Sequence, residues 1–310
     1  MLLAALGEAE LRGILLLLLS LATLGLVAWI LYTRLGPIGP SHVMMPFLEH
    51  LEELRVRALR TGVVVALCTM LFLIVRFEPL VVGTLTVAYP VPSVYNNAAA
   101  QVYLWIARTT VPPDVELIVS SATEAVGAQM EIALLLGLTV SLPFLLYEAW
   151  AFLAPGLASR ERRFLQRGLP VGLLLFLAGA AFGFFVVTPI LFSVLYQFVA
   201  PLGARPLLSV GSLVSHVTTL VLIFGAFFEL PLVMVALVRL GIATPESFVR
   251  KWRHATVGIF IVAAFASDPT LTSQLIIGGI LLALYWGGVA ASFFFRPATR
   301  VVLPNRVSKA

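Results

Sequence analysis

Two short stretches of this 310-residue chain set carboxylates among arginines: EHLEELRVRALR at 49–60 and SRERR at 159–163. A carboxylate accepts a planar guanidinium in bidentate fashion, so Glu53 and Glu161 have the chemistry to bind arginine. Charge balance for the basic neighbours is the plainer account of Glu161. A third carboxylate, Glu229, stands inside the apolar run FGAFFELPL (224–232). An ionised acid at the centre of a membrane helix costs at least about 2.5–3.5 kcal/mol, which marks it as a functional candidate. Contact with a ligand or partner competes there with neutral structural hydrogen bonding. The polar run SDPTLTSQL (267–275) interrupts another apolar stretch and offers Ser267, Thr270 and Gln274 as hydrogen-bonding groups. Cap-and-turn chemistry from Asp268 and Pro269 explains that run equally well. The sequence contains no His/Cys cluster, Gly-rich phosphate loop or nucleophile motif, so nothing in it supports an enzyme, a metal site or a bound cofactor.

The elements that must position these groups are membrane helices. Sixty per cent of the residues are apolar, well above the share in soluble domains. Apolar runs of about 18 residues or more read as spans, and seven candidates lie near 14–32, 58–76, 127–147, 168–191, 214–238, 255–267 and 271–294. Run length favours helices over barrel strands. The sixth candidate has only about thirteen apolar residues, roughly 20 Å at helical rise, and predicts local thinning of the bilayer. Two shorter runs, 81–89 and 101–107, do not reach a span. The single cysteine, Cys68, excludes an intramolecular disulfide.

Net charge is +5, and its distribution gives orientation. Sixteen of the 20 basic residues flank alternate ends of the spans, leaving Arg12, Arg76, Arg108 and Arg205 on the other side. The positive-inside rule makes the rich side cytoplasmic, with the C-terminus inside and the N-terminus outside. Orientation accounts for the basic balance without nucleic acid. The first span is too long for a signal-peptide core and is followed by a Gly/Pro linker, LGPIGPS (35–41). Residues 1–43 therefore read as an uncleaved anchor, 44–296 as a six-span unit and 297–310 as a basic tail. An ordinary peripheral anchor is the simpler account of the extension; a tethered mimic of a single-span partner, lying against Glu229 or the 267–274 turn, is the other.

On a helical wheel Phe47, Leu48, Leu51, Leu54 and Ala58 form one stripe, with Glu49, Glu53, Arg57 and Arg60 opposite. Glu53 and Arg57 are four apart in the favourable order. Arg55 falls beside the apolar stripe, where it either snorkels to headgroups or meets a buried acid of a neighbouring span. An interfacial helix with a solvated charged face explains Glu53 and leaves Arg55 awkward.

HLEELRVRAL (50–59) resembles the amino-terminal signature of the TatC family, the multi-span core of the twin-arginine protein translocase. The resemblance continues in order: FEPL (77–80), LPFLLYEAWAFLAPGLASRERR (142–163), FLAGAAFGFFVVTPILF (176–192), FGAFFELPL (224–232) and LGIATPESFVRKWRH (240–254). It covers about 44–296. It implies an all-α polytopic membrane protein: a six-span TatC-like unit, here with one extra N-terminal transmembrane helix, in the bacterial cytoplasmic membrane. It implies export of folded proteins driven by the proton-motive force, without nucleotide. Glu53 and Glu161 would bind the paired arginines of the signal peptide, Arg55 would hold the site in shape, and Phe152 would lie beside it. Pro79 would bend the first external loop, Glu229 would face a lipid-exposed concavity, and Ser267, Thr270 and Gln274 would dock a single-span partner. The implied partners are signal peptides of folded cargo, TatA/TatB-type single-span subunits in an oligomer with this chain, and lipid.

The sequence departs from the family pattern at Glu131, where lysine is usual, at Glu148, where glutamine is usual, and at Trp286, where an acid is common. An ion-coupled small-solute transporter would also carry Glu229 and Glu131 in the membrane, but its internal repeat symmetry is not visible here.

Overall fold

The computed structural model describes residues 47–82, 85–266 and 270–295. The expected extra N-terminal span (within residues 1–43), Ser267 and the 297–310 tail lie outside the described residues, as do the expectations attached to them. Five helical stretches are long and apolar enough to cross a membrane: His50–Ile74, Ala122–Gly156, Glu161–Gln197, Val210–Arg239 and Leu271–Phe294. A sixth apolar helix, Trp252–Ala266, is shorter. Its 15 residues make roughly 22 Å, short of a hydrocarbon core of about 30 Å as its sequence predicts.

Helix α1 (Phe47–Ile74) joins the charged stretch and the first described span without a break. Its orientation reverses the simplest reading of the wheel. Arg57, Val64, Cys68 and Phe72 are buried, while Leu51, Leu54, Leu59, Val63, Leu67 and Met70 are exposed. In lipid the apolar face has no reason to seek the protein interior, and polar groups supply the packing contacts instead. So the polar side of α1 lies against α3 (Ala122–Leu153), and the leucines face outward.

After α1 the chain turns into an antiparallel hairpin, β1 (Val75–Val82) and β2 (Leu85–Pro92). The run at 81–89, too short to span, is thus largely the β2 side of this hairpin. Pro79, expected at a bend of the loop, occupies a strand position opposite Ala88; a two-stranded sheet has only edge strands, where a missing N–H is tolerated. The other short run lies on α2 (Ala98–Thr110), capped by Asn97, whose side chain accepts the Ala100 N–H and donates to Gln129 of α3. Gln101 binds the hairpin through both amide atoms, accepting the Phe77 N–H at 3.1 Å and donating to its carbonyl at 2.9 Å.

Two three-residue strands, β3 (Glu116–Ile118) and β4 (Leu207–Ser209), pair in parallel and tie together the loops that feed α3 and α6 (Val210–Phe228). Glu124 completes this clasp: one oxygen accepts the Ser120 N–H before α3, the other the Gly211 N–H in the first turn of α6. The Gly211 N–H is one of the donors that a helix start leaves without an internal partner.

Helix α4 (Ser159–Phe182) runs through a π-turn, Gly183–Val187, into α5 (Thr188–Gln197). Pro189 lacks the N–H that a regular ladder needs there, and the Thr188 hydroxyl donates to the Gly183 carbonyl at 2.9 Å. A second break separates α6 from α7 (Leu230–Arg239) at Glu229, just before Pro231. Proline in a first helical turn is pre-set for helix and has no N–H to leave orphaned. The chain ends in α8 (Pro245–Arg250), α9 (Trp252–Ala266) and α10 (Leu271–Phe294).

One core cluster joins α1, α2, α3 and α6 around Phe72, Ile132 and Leu213. Another joins α5, α6, α7, α9 and α10 around Leu191, Phe224 and Leu281. A small third cluster at the α3–α4 elbow centres on Trp150, Ala151 and Ala154.

Candidate functional site: a buried charge cluster at the arginine-rich end

Near the start of α1 and the end of α3, five ionisable side chains and the ring of Phe152 converge. Arg57 is 3% exposed and sits between two carboxylates. Its Nε and Nη2 donate to the same oxygen of Glu53, Oε1, at 3.0 and 2.6 Å. Its Nη1 donates across the helix pair to Glu148 Oε2 at 2.6 Å. The other oxygen of Glu148 lies 3.7 Å from Arg60 Nη1. Glu53 Oε2 is buried with no hydrogen-bond partner among the described residues and lies 3.7 Å from His50 Nδ1. The His50 ring stacks on Phe152, with centroids 4.2 Å apart and planes 10° from parallel.

This geometry follows from helix periodicity. His50, Glu53, Arg57 and Arg60 recur at three- and four-residue intervals and share one face of α1. Glu148 and Phe152, four apart, share one face of α3. Packing the two faces together removes the charges from solvent, and each buried charge then requires an opposite partner.

The structure brings together Glu53 and Phe152, two of the expected site residues, and adds His50, Arg57 and Glu148. It does not bring in Arg55. That side chain is 71% exposed and, among the described residues, pairs with its helix neighbour Glu52 at 3.3 Å. Of the two readings of Arg55, a buried partner on another span is not found among the described residues; the arginine held by a neighbouring helix is Arg57. The reason is the outward-facing apolar stripe, which carries Arg55 with it. Sequence reasoning had one usable signal for the true pair. Glu148 is an acid at the end of a predicted span, and such an acid needs a cation.

Glu161 stands in the first turn of α4, where its Oε2 accepts the Ala158 N–H at 2.9 Å. A carboxylate there also meets the positive end of the helix dipole. Among the described residues no hydrogen bond or ion pair joins Glu161 to Glu53. The guanidinium of Arg162 lies 5.7 Å from the centre of the Trp150 ring, a cation–π contact that fastens the elbow.

The membrane-embedded candidates lie elsewhere. Glu229 occupies the α6–α7 break, with Oε1 buried and without a hydrogen-bond partner among the described residues. Its carboxylate packs over Gly172 of α4, where an added Cβ would come within 3.2 Å of Oε2. Glu131 accepts a short hydrogen bond from the Thr218 hydroxyl of α6, so this departure braces α3 against α6. Thr270 stands at the N-cap position of α10 without a side-chain capping bond, and its hydroxyl pairs with that of Ser273 at 2.5 Å. Gln274 donates to the Phe260 carbonyl at 3.2 Å and so holds α10 to α9. Trp286 is 40% exposed and packs edge-on to Tyr285, whose hydroxyl donates to the Phe248 carbonyl. Among the described residues no group of three or more His, Cys, Asp or Glu side chains is placed to hold a metal ion.

Comparison with known proteins decides the class. The family described as Sec-independent protein translocase protein (TatC) matches residues 49–279. The chain belongs to the TatC family. The match takes in both ends of the charge cluster, Glu161, Glu229, Thr270 and Gln274. Among relatives, the TatC of Cenarchaeum symbiosum is 37% identical over 246 residues, covering 79% of this chain and 93% of that protein. The TatC of Escherichia coli is 30% identical over 250 residues, covering 81% and 89%. A crystal structure of the twin-arginine translocase receptor TatC is similar at a TM-score of 0.65 and 28% identity, covering 79% of this chain and 99% of that one. This TatC-family chain is thus an all-α, multi-pass membrane protein and a component of a protein translocase, a class of transport subunit rather than of enzymes.

Proposed function

We propose that this chain is the receptor subunit of a twin-arginine translocase, reading paired arginines of a cargo signal peptide at the end where its own arginines gather. One observation carries the reading: Glu53 already binds a guanidinium, that of Arg57, through one oxygen, and its second oxygen is buried and unbonded. A site that holds one arginine fork has the charge and shape to receive another. Phe152 and His50 stack beside it as an apolar wall. Glu161, on the neighbouring elbow, supplies the second carboxylate. The positive-inside rule places this end in the cytoplasm, where folded cargo waits.

Within the membrane, Glu229 and the Thr270–Gln274 turn are the groups for single-span partner subunits of the TatA/TatB type. Glu229 supports this most directly, because an unbonded carboxylate oxygen at a helix break can accept a donor from another helix. Interhelical hydrogen bonds of this kind contribute about 1 kcal/mol in lipid. Transport draws on the proton-motive force. An ion-coupled small-solute carrier finds no comparable support, since Glu131 is engaged by Thr218.

Titrating a fluorescent twin-arginine peptide into the purified protein tests the reading. Glu53→Ala and Glu161→Ala should each weaken binding, by about 2–5 kcal/mol where the carboxylate–guanidinium pair is desolvated. Together they should abolish it, and a Lys-Lys peptide should bind poorly to the unaltered protein. Arg57 remains held by Glu148 in Glu53→Ala, so the fold has a charge partner left. Unchanged affinity in the double variant would remove both residues from the site.

A further inference from the structure

We infer that Glu148 is a positioning residue for signal recognition: by taking Nη1 of Arg57 it keeps Glu53 Oε2 open for the arginine of the incoming peptide. The inference rests on the proposed function above and adds a residue and a mechanism to it.

Glu148 is placed to accept on both oxygens. Oε2 receives Arg57 Nη1 at 2.6 Å, and Oε1 faces Arg60 Nη1 at 3.7 Å. Only a carboxylate has acceptors at both positions; an amide would turn an N–H donor toward one of the two guanidiniums. A glutamine at 148 would therefore sit poorly between Arg57 and Arg60 in this chain.

The consequence appears on the opposite side of Arg57. A guanidinium with a single carboxylate commonly forms two parallel bonds, one to each oxygen. Here Nε and Nη2 both fall on Oε1 of Glu53, and Oε2 receives no hydrogen bond although it is buried. Arg57 is drawn toward Glu148, and its grip on Glu53 is one-sided. Charge follows the same division. Glu53 and Glu148 together balance Arg57 and Arg60, so a cationic peptide approaches a neutral cluster. With a neutral residue at 148 the cluster would carry one net positive charge and repel it.

The test compares Glu148→Gln, Arg57→Gln and the double variant in the full chain, with Arg-Arg and Lys-Lys peptides as probes. In Glu148→Gln the freed edge of Arg57 closes over both oxygens of Glu53, and affinity for the Arg-Arg peptide is expected to fall about tenfold. Removing Arg57 as well should return it to near the unaltered level, because Glu53 is then open and the charge is balanced again. A merely structural role for Glu148 predicts that the affinity of each variant follows its stability to unfolding; the positioning role predicts a loss of Arg-Arg affinity in Glu148→Gln beyond any loss of stability. The double variant deletes both members of the buried pair, so it keeps the question answerable even if the single substitution fails to fold. Unchanged affinity in Glu148→Gln overturns the inference. So does a double variant no better than the single, which would mean that Glu148 touches the peptide itself. Failure of the unaltered protein to distinguish Arg-Arg from Lys-Lys would instead overturn the proposed function.

Discussion

Arg57→Met is expected to destabilise the folded protein by about 3–5 kcal/mol, the usual loss when one partner of a buried ion pair is removed. Arg55→Met, two residues away, is expected to change stability by about 0.5 kcal/mol or less. The two substitutions delete the same charge from the same helix, so intrinsic helix preference cannot separate them. Their surroundings do. Arg57 is 3% exposed between Glu53 and Glu148, themselves 11% and 6% exposed, and its loss strands both carboxylates. Arg55 is 71% exposed beside a Glu52 that is 63% exposed; such pairs contribute little and are screened by salt. Reversible unfolding in mixed micelles, followed by tryptophan fluorescence at low and high salt, reads the difference. Arg57→Met should lose most of its stability at both salt concentrations. Equal effects at the two positions would mean that α1 does not bury its charged face against α3.

The approximate positions of the described membrane helices were legible because a bilayer imposes length directly on sequence. Leu271–Phe294 matches its apolar run end to end, and the short Trp252–Ala266 helix follows from its few apolar residues. What each helix faces was less legible. Hydrophobic periodicity locates a stripe but does not say whether it faces inward or outward, and for α1 it faces outward from the described residues. That single ambiguity moved the expected anchor from Arg57 to Arg55. The pairing of Glu148 with Arg57 spans 91 positions and has no local trace beyond an acid in need of a partner. The hairpin was hidden for another reason: VVGTLTVAY is apolar and β-branched without being long, and such runs do not separate strand from helix. The Glu-Leu-Pro sequence did carry a signal for the α6–α7 break, a proline where a new helix begins. Glu229 stood out as a lone acid, but its place over Gly172 required the packing of α4.

The second large effect is expected where α4 crosses α6. A Cβ built on Gly179 would lie 2.5 Å from the Phe224 carbonyl oxygen and 2.7 Å from Cβ and Cγ of Phe228. The interleaving is reciprocal: Gly225 of α6 receives the Phe176 ring of α4, which a Cβ there would approach to 2.9 Å. Small residues let two backbones approach in this way, and in lipid such close packing is a main source of helix association. A backbone carbonyl cannot rotate aside as a side-chain tip can, so Gly179→Ala must push the helices apart. The expected loss is about 1–3 kcal/mol, the range for forced overpacking, and Gly179→Val should exceed it. Gly287 of α10 is the internal control: it is exposed, and nothing lies within 4 Å of its added Cβ. Gly287→Ala should be neutral or stabilise by up to about 1 kcal/mol through helix preference alone. The consequence reaches function because α6 ends at Glu229. Separating α4 from α6 moves that carboxylate off Gly172, so crosslinks between a cysteine placed beside Glu229 and a partner helix should change in Gly179→Ala and persist in Gly287→Ala. Matching stability losses in the two alanine variants would show that glycine acts here through chain flexibility, and the close crossing of α4 and α6 would then not be what holds Glu229 in place.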